Sequence, residues 1–258
     1  MASQRIAVAA AVNDRSVLGQ CLAASPDIRS EALKLRTYEG YPSASIAYNR
    51  ALDECDAEIL IFAHQDVYLP RGFMANLDDK LRELDRVAPD WAVAGVTGAN
   101  AQRVMYGRIW SSGLGQLIGG DNSLPAQVDT LDEMLIIVRL EAGLRFDDRL
   151  PGFHLYAADI IEIARSAGRT SWVIDAPAVH HSRPVLNLGG SYTHAWHYMR
   201  RKWWDRLPIM NLVCPLTRSK LTLWKTDFGL RLIHRGRAER MQPKSDPAAI
   251  AAELGFDR

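Results

Sequence analysis

Cysteine is scarce in this chain of 258 residues. Cys21, Cys55 and Cys214 are far apart and odd in number. They form neither a disulfide framework nor a CxxC metal site. A reducing, cytoplasmic setting is the expectation that follows. Long apolar runs are lacking as well. The opening MASQRIAVAAAVNDRS holds an apolar run of about eight residues, too short for a membrane span and without the flanks of a signal peptide. Net charge is nearly absent, with 31 Lys and Arg against 30 Asp and Glu. That excludes the strongly basic surface of a nucleic-acid binder, and no nucleic-acid partner is expected. A GxxxxGK[ST] phosphate loop is missing, and no internal repeat is evident.

Hydrophobic residues make up 48% of the chain, enough for a sizeable core. The charge is unevenly spread. Residues 200–258 carry 13 Lys or Arg against 6 Asp or Glu, whereas residues 1–199 carry 18 against 24. The acidic part could host a cation. The basic part could meet an anionic partner or present a solvated helical face.

Two hydrophobic periods alternate along the chain. RIAVAAAV (5–12) reads as a buried strand, with Asp14 or Ser16 able to cap a short helix after it. A further helix starts at Ser43 or Ser45. EILIFA is a second strand. RGFMANLDDKLRELDRV places Phe73, Leu77, Leu81 and Leu84 on one face, the mark of an amphipathic helix. WAVAGVTGA (91–99) returns to a strand. The order predicts an α/β sheet covered by helices. The glycine-broken runs between 105 and 148 suit an antiparallel or mixed part of that sheet. A helix from about Ala158 to Ser166, ended by Gly168, precedes a last strand, SWVIDAPAVHHS. SYTHAWHYMRRKWWDRLP is aromatic and basic and reads as helical up to Pro208.

Polar residues gather at the strand ends, where ligands of α/β sheets sit. Asn13 and Asp14 follow the first strand. His64, Gln65 and Asp66 follow the second, and His180 and His181 follow the last. Aspartate and histidine both serve as ligands for a divalent cation, with Mn2+ or Mg2+ the expected ion. Asp129, Asp132 and Glu133 form a second cluster, either a solvated turn or carboxylates near a substrate. His154, Tyr156 and Asp159 fall around a helix start. The helix dipole favours an ionised Asp159 there, and such a carboxylate can take a proton from a hydroxyl nucleophile.

Three segments in order, YPSASIAYNRALDECDAEILIFAHQDVYLPRGF, VDTLDEMLIIVRLEAGLRFDDRLPGFHLYAADIIEIARSAG and WVIDAPAVHHS, resemble the GT-A group of nucleotide-sugar glycosyltransferases. The likeness is to its family-2-like members, including a streptomycin-biosynthesis-associated subset. The resemblance implies a GT-A-like, Rossmann-related mixed sheet flanked by helices over residues 1–185. A basic, aromatic helical extension would follow over 186–258. It implies transfer of a sugar from a nucleoside-diphosphate sugar to a saccharide, lipid-linked or small-molecule acceptor, with inversion. Asp66 matches the better-kept aspartate of the group's Asp-x-Asp element, while His64 departs from the first. His180 or His181 matches a late histidine of the metal shell. Asn13 and Asp14 would lie near the nucleoside, Tyr48 and Asn49 on the donor side, and Gln65 and Asp132 against the donor. Where relatives carry an acidic pair this chain reads Tyr156-Ala157, so Asp159 or His154 would serve as the base. A non-catalytic or weakly active nucleotide-sugar or protein-binding domain is the alternative. Trp196, Trp203 and Trp204 with Arg200, Arg201 and Lys202 permit peripheral membrane contact, and fit helix packing equally well.

Overall fold

A computed structural model describes residues 5–120, 123–234 and 246–257. In chain order its strands are β1 (Ile6–Val12), β2 (Lys34–Glu39), β3 (Ile59–Ala63), β4 (Val67–Tyr68), β5 (Trp91–Gly95), β6 (Thr97–Ala99), β7 (Met105–Ser111), β8 (Gln116–Gly119), β9 (Ala126–Gln127), β10 (Thr130–Leu131), β11 (Leu135–Arg139), β12 (Thr170–Val173) and β13 (Ala178–His180). The helices are α1 (Arg15–Gln20), α2 (Pro26–Arg29), α3 (Ala44–Glu54), α4 (Phe73–Val87), α5 (Tyr156–Ser166), α6 (Ser191–Lys202), α7 (Leu221–His234) and α8 (Pro247–Glu253).

Seven strands make one mixed sheet in the order β2-β1-β3-β11-β5-β12-β9. β1 is parallel to β2 and β3, β12 is parallel to β5, and β11 runs antiparallel between β3 and β5. Strand alternation sorts its side chains into two cores. Ile59, Ile61 and Ala63 of β3, with Leu135 and Ile137 of β11, face the Leu77, Leu81 and Leu84 stripe of α4. Leu60, Phe62, Ile136 and Val138 face α3, α5 and α6 on the other side. The architecture is thus a mixed sheet between helical layers, as the element order predicts.

Several local expectations hold and two strands break. Asp14 caps α1 by accepting from Ser16 N and Val17 N, and Ser43 caps α3 by accepting from Ile46 N. The run 91–99 changes sheets at Val96, because β6 pairs with β7 and β10 rather than continuing β5. Gly98 permits this approach: a Cβ there would stand 2.3 Å from Thr130 O. The last strand divides around Pro177 into β12 and β13, which also join different sheets. A proline cannot donate to a ladder, so pairing stops there.

The extension expected from residue 186 shares the main core. Tyr192, Ala195, Trp196 and Met199 of α6 pack in the same cluster as α3 and α5. Trp196 is fully buried, and Trp203 Nε1 donates to Asp159 Oδ1 at 2.7 Å. Trp204 remains partly exposed. α6 ends at Lys202, followed by a 3-10 turn at Trp204–Arg206. The basic stretch 235–245, part of the expected cationic tail, lies outside the described residues.

Lys202 ties this extension to the sheet layer. Its Nζ donates to both oxygens of Asp159, at 2.7 and 2.8 Å, and pairs with Asp147 Oδ2 at 2.8 Å. Tyr198 OH donates to the same Asp147 oxygen at 2.6 Å. Burial works to raise the Asp147 carboxyl, but Lys202 and Tyr198 outweigh it and hold the group well below the usual carboxylate range. A depressed folded value means stability present above the unfolded value of about 3.9 and lost as pH falls through the folded one. Asp147→Asn is therefore expected to cost on the order of 2 kcal/mol at pH 7. It should also flatten the loss of stability below about pH 4. Urea unfolding of both proteins from pH 7 to pH 2 checks this, and parallel pH curves would contradict it.

Candidate metal and donor site

β3 delivers His64, Gln65 and Asp66 to the carboxyl end of the main sheet, and the chain then turns into β4. β4 pairs antiparallel with β13 in the register Tyr68↔Val179 and Val67↔His180. The ladder is extended by His181 N donating to Asp66 O at 2.8 Å. Two segments more than a hundred residues apart in sequence therefore meet at Asp66. His180 Nε2 stands 3.4 Å from Asp66 Oδ1, and His64 Nδ1 stands 3.9 Å from it. The ring centroids of His64 and His180 are 5.7 Å apart. One ligand atom from each of the three residues lies within 4.8 Å of the others.

Hydrogen bonding positions the His64 ring. Tyr156 OH donates to Glu133 O at 2.9 Å. It also lies 2.7 Å from His64 Nε2, which anchors the ring. Burial lowers the pKa of His64, favouring the neutral ring. Asp66 Oδ1 is itself buried, with His180 Nε2 the nearer of the two imidazole nitrogens. Burial tends to raise this carboxyl, but His180 and His64 overcome that and keep it ionised, well below the usual range. For His180, burial disfavours the charged ring, while Asp66 outweighs burial and raises the pKa. An ionised carboxylate thus stands between two imidazole rings, His180 Nε2 at 3.4 Å and His64 Nδ1 at 3.9 Å from the same oxygen. The donor set suits a divalent ion: two imidazole nitrogens and one carboxylate oxygen.

The other residues singled out in the sequence divide into those near this cluster and those used elsewhere. Asp132 acts electrostatically on both His64 and His180, and its Oδ1 accepts from Met134 N at 2.9 Å. His154 is half-buried, with its ring centroid 5.3 Å from that of Tyr192. Burial lowers its pKa. Gln65 turns to β1: its Oε1 accepts from Asn13 N and Asp14 N, both at 3.0 Å, and its Nε2 donates to Asn13 Oδ1 at 2.6 Å. Of the two late histidines, His180 enters the cluster. His181 does not, and its Nδ1 lies 3.1 Å from Ser112 Oγ. Tyr48 is buried among Phe62, Phe146 and Tyr156. Asn49 exchanges hydrogen bonds with the backbone of Phe146 and reaches Asp148 Oδ1. Asp159, 1% exposed, has both oxygens held by Lys202 and one by Trp203 as well.

Two further residues shape the site: Tyr156, to which the sequence assigned no role, and Glu133, which it placed only in a carboxylate cluster that could lie near a substrate. Tyr156 orients His64, as described. Glu133 is pushed up to about 8 by burial, with Asp132 adding to the shift, and its Oε1 accepts from Ala157 N at 3.4 Å. Both sit beside the start of α5, where Leu155 holds φ 65. A branched residue in the left-handed region is strained, and such strain gathers at functional sites. The signal for Tyr156 was its place in FHLYAAD, but its partner His64 is 92 residues away.

No family model matches the chain. A protein of Fuscovulum blasticum described as "ATP synthase subunits region ORF 6" is 27% identical over 169 residues, 63% of this chain and 67% of that one. Among solved structures, the chain is similar to the mannosyltransferase PcManGT from Pyrobaculum calidifontis in complex with GDP-Man and Mn2+. There the identity is 12% and the TM-score 0.47, over 97% of this chain and 76% of that one. It is also similar to GalNAc-T7 with UDP, GalNAc and Mn2+, at 11% identity and TM-score 0.49, over 96% and 58%. S. aureus TarS 1-349 is matched at 13% identity and TM-score 0.47, over 98% and 80%.

Proposed function

We propose that the chain is a GT-A-type nucleotide-sugar glycosyltransferase, family-2-like in kind. In this reading His64 Nδ1, Asp66 Oδ1 and His180 Nε2 hold a divalent ion against the donor diphosphate. The observation that carries the reading is the convergence of His64, Asp66 and His180, one ligand atom from each within 4.8 Å of the others, at the end of β3. When bound, the ion would stabilise the charge that develops on the leaving diphosphate. Two imidazoles in the donor set favour Mn2+ over Mg2+. The nucleoside lies along the β1 end, where Gln65 braces Asn13 and Asp14. Asp132 meets a donor hydroxyl.

The acceptor hydroxyl loses its proton to His154. This residue is favoured over Asp159 because burial keeps its imidazole neutral, whereas the oxygens of Asp159 are held by Lys202 and Trp203. A direct displacement by that hydroxyl inverts the anomeric centre. A non-catalytic relative would bind the same ligands without consuming them, so turnover with an added acceptor separates the two.

A thermal-shift screen of UDP-, GDP- and dTDP-sugars with Mn2+ or Mg2+ tests the reading. One nucleotide is expected to raise Tm only when metal is present. At a ligand concentration of 100 Kd the stabilisation is about 2.7 kcal/mol. No shift with any pair, or an equal shift in EDTA, would refute the assignment.

A further inference from the structure

Helix α7 turns an apolar stripe away from the protein. Leu221, Trp224, Phe228 and Leu232 are 61%, 61%, 49% and 55% exposed. At 3.6 residues per turn they fall within an arc of about 80°. The opposite face seats the helix: Leu223 is buried, Leu230 packs on the main core, and Asp227 Oδ1 accepts from Leu188 N at 2.7 Å. The stripe is therefore additional to the face that folding uses. The Trp224 and Phe228 rings stack with centroids 5.5 Å apart and planes 13° from parallel.

Cations border the stripe. Lys225 follows Trp224 on one side and Arg231 lies on the other, with Lys220 just before the helix. The helix has one acidic residue, Asp227, already engaged by Leu188 N and by Arg231 Nε at 2.8 Å. Nearby, Arg218 and Arg200 lie over the partly exposed ring of Trp204, at 5.9 and 4.6 Å from its centroid. Large apolar side chains contiguous on a surface mark a contact site, and a basic rim selects an anionic counterpart. A second copy of the chain would bring two basic rims together, which opposes self-pairing through this face. Among the described residues, no helix is long and apolar enough to cross a membrane. The 14-residue helix is about 21 Å long and suits the plane of an interface.

We propose that α7 docks on the surface of an anionic phospholipid bilayer. Trp224 and Phe228 enter the boundary between headgroups and acyl chains, while Lys220, Lys225 and Arg231 meet the lipid phosphates. Of the aromatic residues expected from the sequence to make such contact, Trp196 and Trp203 are used inside the fold. The contact moves to α7.

The test is co-sedimentation of the full chain with phosphatidylcholine vesicles, with and without about one-third phosphatidylglycerol. Binding is expected with the anionic vesicles and should weaken in high salt. The Trp224→Ser/Phe228→Ser double variant is expected to lower partitioning at least about tenfold. Lys225→Glu/Arg231→Glu is expected to lower binding to anionic vesicles alone. Tm of each variant controls for folding, and Leu221→Ser/Leu232→Ser provides a second probe should the first pair fail to fold. Three results would overturn the proposal: no binding to anionic vesicles, equal binding by the stripe variants, or a lipid-free dimer that the stripe variants convert to monomer.

Discussion

Replacing Asp66 with alanine is expected to abolish Mn2+-dependent binding of a nucleoside diphosphate. Asp66 supplies the one carboxylate oxygen of the cluster and is the element to which both imidazoles are drawn. Without it, His64 and His180 remain as two neutral donors, and the cluster has no carboxylate ligand. Loss of a residue that merely orients a ligand already costs about 10- to 100-fold in metal affinity, so loss of this ligand should exceed about 100-fold. Titration calorimetry with Mn2+ and UDP or GDP measures the effect, with thermal unfolding of the metal-free variant as the control for folding. Unchanged binding in a folded variant would remove the metal assignment.

The second large effect is on stability. Lys202→Met should destabilise the protein by about 3–5 kcal/mol, the usual cost of leaving one partner of a buried ion pair alone. Burial already raises the Asp159 carboxyl even though Lys202 and Trp203 hold it down. Removing the ammonium lifts it further. A carboxyl with a raised folded value loses stability as pH climbs above its unfolded value, so the deficit should be small near pH 4 and grow towards pH 8. The double variant Asp159→Leu/Lys202→Met should recover part of the loss, because the more deeply buried carboxylate is removed, while Asp147 still lacks its ammonium partner. Urea unfolding across that range decides it. A loss under about 1 kcal/mol at pH 8 would mean that the pair does not carry the contact.

The parts legible in the sequence were those set by local periodicity. The Phe73, Leu77, Leu81 and Leu84 stripe and the strand ending in His64-Gln65-Asp66 are properties of short windows, and both stand as expected. The breaks in 91–99 and 170–180 were not legible, because apolar residues run through both and only strand pairing shows which sheet each half joins. The choice between His180 and His181 depended on the register of β13 against β4. The role of Asp159 depended on a lysine 43 residues later. Helix α7 escaped notice because LTLWKTDFGLRLI is apolar on both its seated and its outward face, which erases the period that marks an ordinary surface helix.

His180 ends β13 and His181 follows it directly. Successive side chains of a strand point to opposite faces, so a slip of one residue exchanges them. In the present register His180 joins Asp66 and His181 faces Ser112. Deleting one residue from the turn at 175–177 would draw His181 into the place that His180 now holds. The doublet places a second imidazole one residue away, so such a deletion is expected to exchange the two rings beside Asp66.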